Sequence, residues 1–196
     1  MGRQAAFERE DAVRSARDVF WREGYEGTSM ANLQWATGLN SSSIYHAFGS
    51  KRGLFDAAIE DYLENVVRPG LAPLRGPDVA PGALEDYFRA VRRLLEDPTA
   101  RSLPDGCLLL NTASSGLARD DGIAEVVQAY RAELHTAFTR GARARHPDLP
   151  PERLERLVET CVALLISALV VSRVERDAAI ASLDAALSHL GTAGTD

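Results

Sequence analysis

The stretch G38-L-N-S-S-S-I-Y-H-A-F-G-S-K51 decides how this chain is read: three consecutive serines, a tyrosine and histidine side by side, and the only lysine of the sequence. Asn40 is a good helix N-cap, Gly38 a good end for a preceding helix, and Ser50 a third capping residue. The spacing therefore predicts a short helix from Asn40 through Ala47, with another beginning at Ser50. Within the first of these, Ile44 and Phe48 lie four apart and should face a core, which leaves Ser41, Ser42, Tyr45 and His46 outward. Two short helices around a tight glycine turn, the second polar on its outer face, have the layout of a helix-turn-helix that places its second helix in a DNA major groove. Hydroxyls in a first turn are also common on solvated helices, so the serines alone leave both readings open.

Lys51 adds an electrostatic argument. A cation in the first turn of a helix opposes the macrodipole, whereas backbone N–H groups joined by an ammonium make a seat for an anion such as phosphate. A solvent-exposed lysine is the plainer alternative.

Helical periodicity extends outward in both directions. Phe7, Ala12, Ala16, Val19 and Phe20 form a stripe over about residues 8–23, ended by Gly24. Thr28 or Ser29 caps the helix MANLQWAT, and Leu54, Ala58, Ile59 and Leu63 carry the helix after Ser50 to about Arg68. Residues 69–82 contain four prolines and three glycines, which reads as a loop or inter-domain joint. Beyond it, Leu84, Tyr87, Phe88, Val91, Leu94 and Leu95 share one face, and helices are expected over Cys107–Leu117, Ile123–Arg145, Pro151–Val174 and Asp177–Leu190. The expected fold is all-α, with about nine helices: a three-helix N-terminal domain over 1–53, a connecting helix to about 68, and a larger helical bundle over 69–196.

Composition narrows the function. The chain has 196 residues, 45% of them hydrophobic, and a net charge of −6. That charge is unevenly placed: residues 1–53 hold seven Lys/Arg against six Asp/Glu, so the acid lies in the remainder. A near-neutral N-terminal module on an acidic body permits an anionic partner there. Cys107 and Cys161 have neither CxxC spacing nor a nearby histidine, so no metal, cofactor or disulfide framework is expected. No signal peptide or membrane span is apparent, which suggests a cytoplasmic protein.

The segment GYEGTSMANLQWATGLNSSSIYHAFGSKRGLF, residues 24–55, resembles the N-terminal signature of TetR-family transcriptional repressors, over roughly residues 8–68. The resemblance implies that Thr28, Tyr45 and Lys51 grip phosphates, while Ser41, Ser42, Ser43 and His46 read or line the major groove. Ser41 stands where the family often has Lys or Arg. Trp35 is bulky for its place and is expected to pack beneath the recognition helix. The resemblance further implies a homodimer on a palindromic operator of double-stranded DNA, released by a small-molecule effector held in the body.

In that family the last two helices form a four-helix bundle between subunits. Leu157, Cys161, Leu164, Leu165, Ala168 and Leu169, with Ile180, Leu183 and Leu187, have the spacing for such a face, and core packing within one chain explains them equally well. For an effector, Cys107, Asn111, Ser114 and Ser115 make a polar strip that Tyr87 or Phe88 would face, with Tyr130, His135 and Phe138 lining the same cavity. Cys107 is either a sensor or inert packing. The alternatives to a regulator are a helical protein-interaction module or, more remotely, an all-α enzyme, for which no third catalytic group accompanies Cys107 and His135.

Overall fold

The computed structural model describes residues 2–97 and 105–194, with side chains from residue 9 onward; Phe7 therefore lies outside the described side chains. Among the described residues there are helices and no strands, as the periodicity predicts. The chain divides into two compact units, residues 1–69 and 70–196.

The first unit comprises α1 (Gly2–Gly27), α2 (Met30–Thr37), α3 (Ser41–Phe48) and α4 (Lys51–Tyr62). Gly24 breaks the helical path of α1 with φ 74, a conformation that costs glycine little. Ser29, rather than Thr28, caps α2: its hydroxyl accepts from the Asn32 N–H at 3.1 Å while Asn32 Oδ1 accepts from the Ser29 N–H. Asn40 and Ser50 cap α3 and α4. Gly38 ends α2 at φ 69.

Around the core of this unit, Phe20 of α1 meets Phe55 of α4 edge-on at 4.9 Å, and Trp21 meets Tyr62 at 4.8 Å. Leu33 from α2 and Ile44 from α3 are both fully buried. Arg17 and Asp61 add a nearly buried ion pair of 2.7 Å between α1 and α4. Gly53 is required for space. A Cβ there would stand 2.0 Å from the Phe48 carbonyl oxygen, so no larger residue lets α4 start this close to the end of α3.

Helix α4 runs without a break through a π-helical turn (Leu63–Val67) into α5 (Arg68–Arg75). This corrects the expectation of a loop from residue 69. Pro69 follows directly on the π-helical turn, and Leu71 and Leu74 bury completely, which offsets the backbone bonds lost at Pro69 and Pro73.

The second unit continues with α6 (Ala83–Glu96), α7 (Leu108–Ala113), a 3₁₀ turn (Gly116–Arg119), α8 (Asp121–Arg145), α9 (Pro151–Val171) and α10 (Arg176–Thr192). Cys161, Leu165 and Ala168 of α9 and Leu183 of α10 are fully buried within this one chain. Leu157 and Leu169 are nearly so. These six cannot form a face toward a second subunit, because their apolar surface is already spent on neighbouring helices of the same unit. Burial also pushes the Cys161 thiol up to about 12, so it stays protonated and inert at neutral pH. Of the residues expected at a dimer face, Leu164, Ile180 and Leu187 remain partly exposed.

Gly141, mid-helix in α8, carries a test of this packing. Alanine normally gains about 1 kcal/mol over glycine inside a helix. Here a Cβ would meet Leu84 Cβ, which cannot rotate away, and Leu74 Cδ2, both at 2.7 Å. Overpacking of about 1–3 kcal/mol outweighs the gain. Gly141→Ala should therefore lower the urea midpoint, the reverse of the usual sign.

Candidate nucleic-acid interface

The outward face of α3 is built by its inward one. With Ile44 at the centre of the core, Ser42, Tyr45 and His46 are exposed, Tyr45 at 52%, while Ser41 and Ser43 are half-buried at the start of the helix. Phe48 closes the inner edge and its ring lies 4.8 Å beneath the guanidinium carbon of Arg9 from α1. Arg9, Asn40, Ser42, Ser43, His46 and Phe48 line an open cleft of about 550 Å³ along the helix. Arg9 was not legible as part of this surface. Nothing local in the sequence distinguishes it from the other arginines of α1, and only the packing of α1 brings it over Phe48.

Three expectations change. Thr28 is 1% exposed, and its hydroxyl donates to the Gly24 carbonyl at 2.6 Å. It cannot hold a phosphate; it ties α1 to the turn before α2. Trp35 is 88% exposed and does not pack beneath α3, because Leu33 fills the inward position of α2 and Trp35 lies two residues on, on the far side.

The third concerns Lys51. Its ammonium donates to the Tyr25 carbonyl at 2.6 Å and lies 4.4 Å from the centroid of the Tyr25 ring. The partner that offsets the macrodipole penalty is thus found in the same unit, at the carbonyl end of α1, where a cation is favoured. Tyr25 in turn stands 5.0 Å from Phe55, so the lysine is coupled to the core.

This arrangement is a helix-turn-helix whose second helix is anchored by one buried isoleucine and presents hydroxyl, phenol and imidazole groups to solvent. The family described as "Bacterial regulatory proteins, tetR family" matches residues 12–58. AcnR of Corynebacterium efficiens, a transcriptional repressor, is 37% identical over 178 residues, covering 79% of this chain and 92% of that protein. The chain belongs to the TetR family. It is a DNA-binding transcriptional regulator. Another relative is the HTH-type transcriptional repressor ComR of Escherichia coli, 34% identical over 122 residues, 62% of this chain but only 56% of ComR. Among solved structures, a cysteine mutant of the TetR-family regulator CifR in complex with 26-bp operator DNA superposes with TM-score 0.75 at 30% identity, covering 91% of this chain and 95% of that one.

In the body of this TetR-family chain, the expected effector residues separate into two groups. Tyr87, Phe88 and Phe138 form a triangle of rings with centroids 5.3–5.8 Å apart. Cys107 and Tyr130 are buried together, Sγ to Oη 4.0 Å. Desolvation, with a smaller contribution from Cys107, raises the Tyr87 phenol well above its ordinary range, so it stays neutral at any physiological pH.

The polar strip on α7 is otherwise engaged. Asn111 donates to the Asp105 carbonyl, Ser114 to Leu110, and Ser115 to Thr112 while accepting from the Leu117 N–H. These side chains bond to local backbone, Asn111 to the segment before α7 and the two serines to carbonyls that also accept from a backbone N–H. His135 is also elsewhere: its ring faces Glu155 of α9 at 3.2 Å rather than a cavity. No helix among the described residues is long and apolar enough to cross a membrane.

Thr28→Val separates the two roles discussed for that residue. It removes one hydrogen bond, about 1 kcal/mol of stability. DNA affinity, measured well below the melting temperature, should stay within about twofold of the parent, since a phosphate contact would cost more.

Proposed function

We propose that this regulator represses transcription as a cytoplasmic homodimer on a palindromic operator and is released by a small-molecule effector. The reading rests chiefly on the outer face of α3, where Ser42, Tyr45 and His46 are exposed beside Arg9. In it Ser41, Ser42, Ser43 and His46 line the groove, Tyr45 donates to a phosphate, and Lys51, held by Tyr25, lends its charge to the start of α4. Two such helices about 34 Å apart enter successive major grooves. The Corynebacterium and Escherichia relatives named above are repressors, and the CifR structure contains operator DNA, which supports the same role for this chain.

For the dimer, the outward side of α9 replaces the buried one. Thr160, Ala163, Ser167 and Val170 recur at steps of three and four, Val170 being 46% exposed, and Val174 beyond the helix is 90% exposed. Leu164 on α9 and Ile180 and Leu187 on α10 flank this face. Small residues at its centre let a second helix pair approach closely. For the effector, Tyr87, Phe88, Cys107, Tyr130 and Phe138 supply an apolar centre with two phenols and a thiol, suited to an aromatic or otherwise weakly polar compound. The effector acts by binding better to a body conformation whose dimer no longer spans the operator. Catalysis plays no part in this scheme.

Selection of duplexes from a random pool tests the reading directly, with an enriched palindrome as the expected result. On that sequence His46→Ala should lower operator affinity by about 5- to 100-fold, the range of one lost base contact, and leave random-sequence affinity nearly unchanged. Lys51→Ala should weaken both alike. Equal losses in the His46 variant would remove it from base reading.

Ala163→Arg should convert the dimer to folded monomer, seen by sedimentation with the helical circular dichroism retained. A dimer unaffected by arginine at this position would place the interface elsewhere.

A further inference from the structure

Glu155 and Glu159 lie one turn apart on α9 and face the imidazole of His135 on α8. His135 Nε2 stands 3.2 Å from Glu155 Oε1 and 3.6 Å from Glu159 Oε1. These ligand atoms all lie within 4.8 Å of one another. The second oxygen of Glu159, Oε2, is held by Arg131 at 2.7 Å. Arg131 thus fixes the Glu159 carboxylate and leaves Oε1 directed at the histidine.

Hydrogen bonding within the cluster does not satisfy it. Like charges four residues apart on a helix repel. A neutral imidazole offers one proton at Nε2 at most, enough for one carboxylate, and Arg131 engages the far oxygen of only one of them. A dication attracts all three donor atoms together. Ligand bonds of about 2.0–2.2 Å around a tetrahedral ion put donors roughly 3.3–3.6 Å apart. The two imidazole-to-carboxylate separations are already close to that range, and the side chain of Glu155, 60% exposed, is free to swing through the remaining distance.

We propose that His135, Glu155 and Glu159 form a binding site for a first-row divalent cation, one ion per chain. One imidazole and two carboxylates, with water completing the shell, suit Zn²⁺, Co²⁺ or Ni²⁺ better than Ca²⁺, which takes an all-oxygen set. His135 is only 26% exposed at its side chain, which restrains the ring and makes it the fixed member, with the two glutamates closing from α9. The ion would join α8 to α9 and, by mass action, stabilise the fold by an amount that grows with the logarithm of the free metal above its dissociation constant. The site is independent of the DNA-binding reading, and its test involves no DNA.

The full-length protein, stripped with a chelator, is titrated with Co²⁺ while its visible ligand-field absorption is followed. The expected result is saturation at one ion per chain, reversal by Zn²⁺, and a higher melting temperature with metal. His135→Ala and Glu159→Gln should each lower affinity by about tenfold or more, with unchanged far-ultraviolet circular dichroism. Glu155→Gln, at the most exposed ligand, keeps the test open should another variant misfold, and it too should weaken binding. An absorption and affinity that persist in His135→Ala would assign the metal to other histidines and overturn the proposal. So would absence of any Co²⁺ spectrum in the parent protein, or a melting temperature that metal shifts equally in parent and His135→Ala.

Discussion

A helix of eight residues is not stable by itself in water, because nucleation costs more than so few hydrogen bonds return. Both α2 and α3 are eight residues long, and each places one side chain, Leu33 or Ile44, at zero exposure. Their existence therefore depends on the core that Phe20, Phe55, Leu54 and Ala58 provide between α1 and α4. Everything that the DNA-facing surface presents follows from this constraint. With Ile44 committed inward, the helical repeat turns Ser42, Tyr45 and His46 outward, and capping by Asn40 fixes where the repeat starts.

Lys51 is the second consequence of the same core. The Tyr25 ring packs against Phe55 and its carbonyl receives the ammonium, so the one lysine of the chain joins the end of α1 to the start of α4. Arginine elsewhere forms the surface pairs, such as Arg52 with Asp56, where a broad guanidinium meets a carboxylate. At the Tyr25 site a compact ammonium is the better fit, since a single carbonyl oxygen offers no second acceptor for a guanidinium fork. A net acidic chain can then still present a weakly cationic surface in its first unit, because Lys51 is held in place there and Arg9 is seated on Phe48.

In the body, the division between buried and exposed apolar surface carries the argument. Helices α9 and α10 are apolar on a broad arc, and half of that arc closes against the same chain at Cys161, Leu165, Ala168 and Leu183. What remains outward is smaller and less hydrophobic: Ala163, Ser167 and Val170. An association surface of this kind relies on close approach of small residues rather than on large buried side chains. The aromatic group of Tyr87, Phe88 and Phe138 lies separately, and desolvation keeps the Tyr87 phenol uncharged.

By itself, the sequence determined the helical class, the caps at Asn40 and Ser50, the glycine turn at Gly38 and the inward position of Ile44. These are set by neighbours within one or two turns, where capping chemistry and the 3.6-residue period act. It did not reveal the ends of segments whose stability is tertiary: α5 continues through two prolines because Leu71 and Leu74 are buried, a fact no local propensity contains. Only tertiary structure decided that Trp35 faces solvent, that Thr28 is sealed against Gly24, that Lys51 is held by Tyr25, and which arc of α9 is left for a partner. Each of these depends on which distant residue occupies the adjoining space, and periodicity marks an apolar face without saying what covers it.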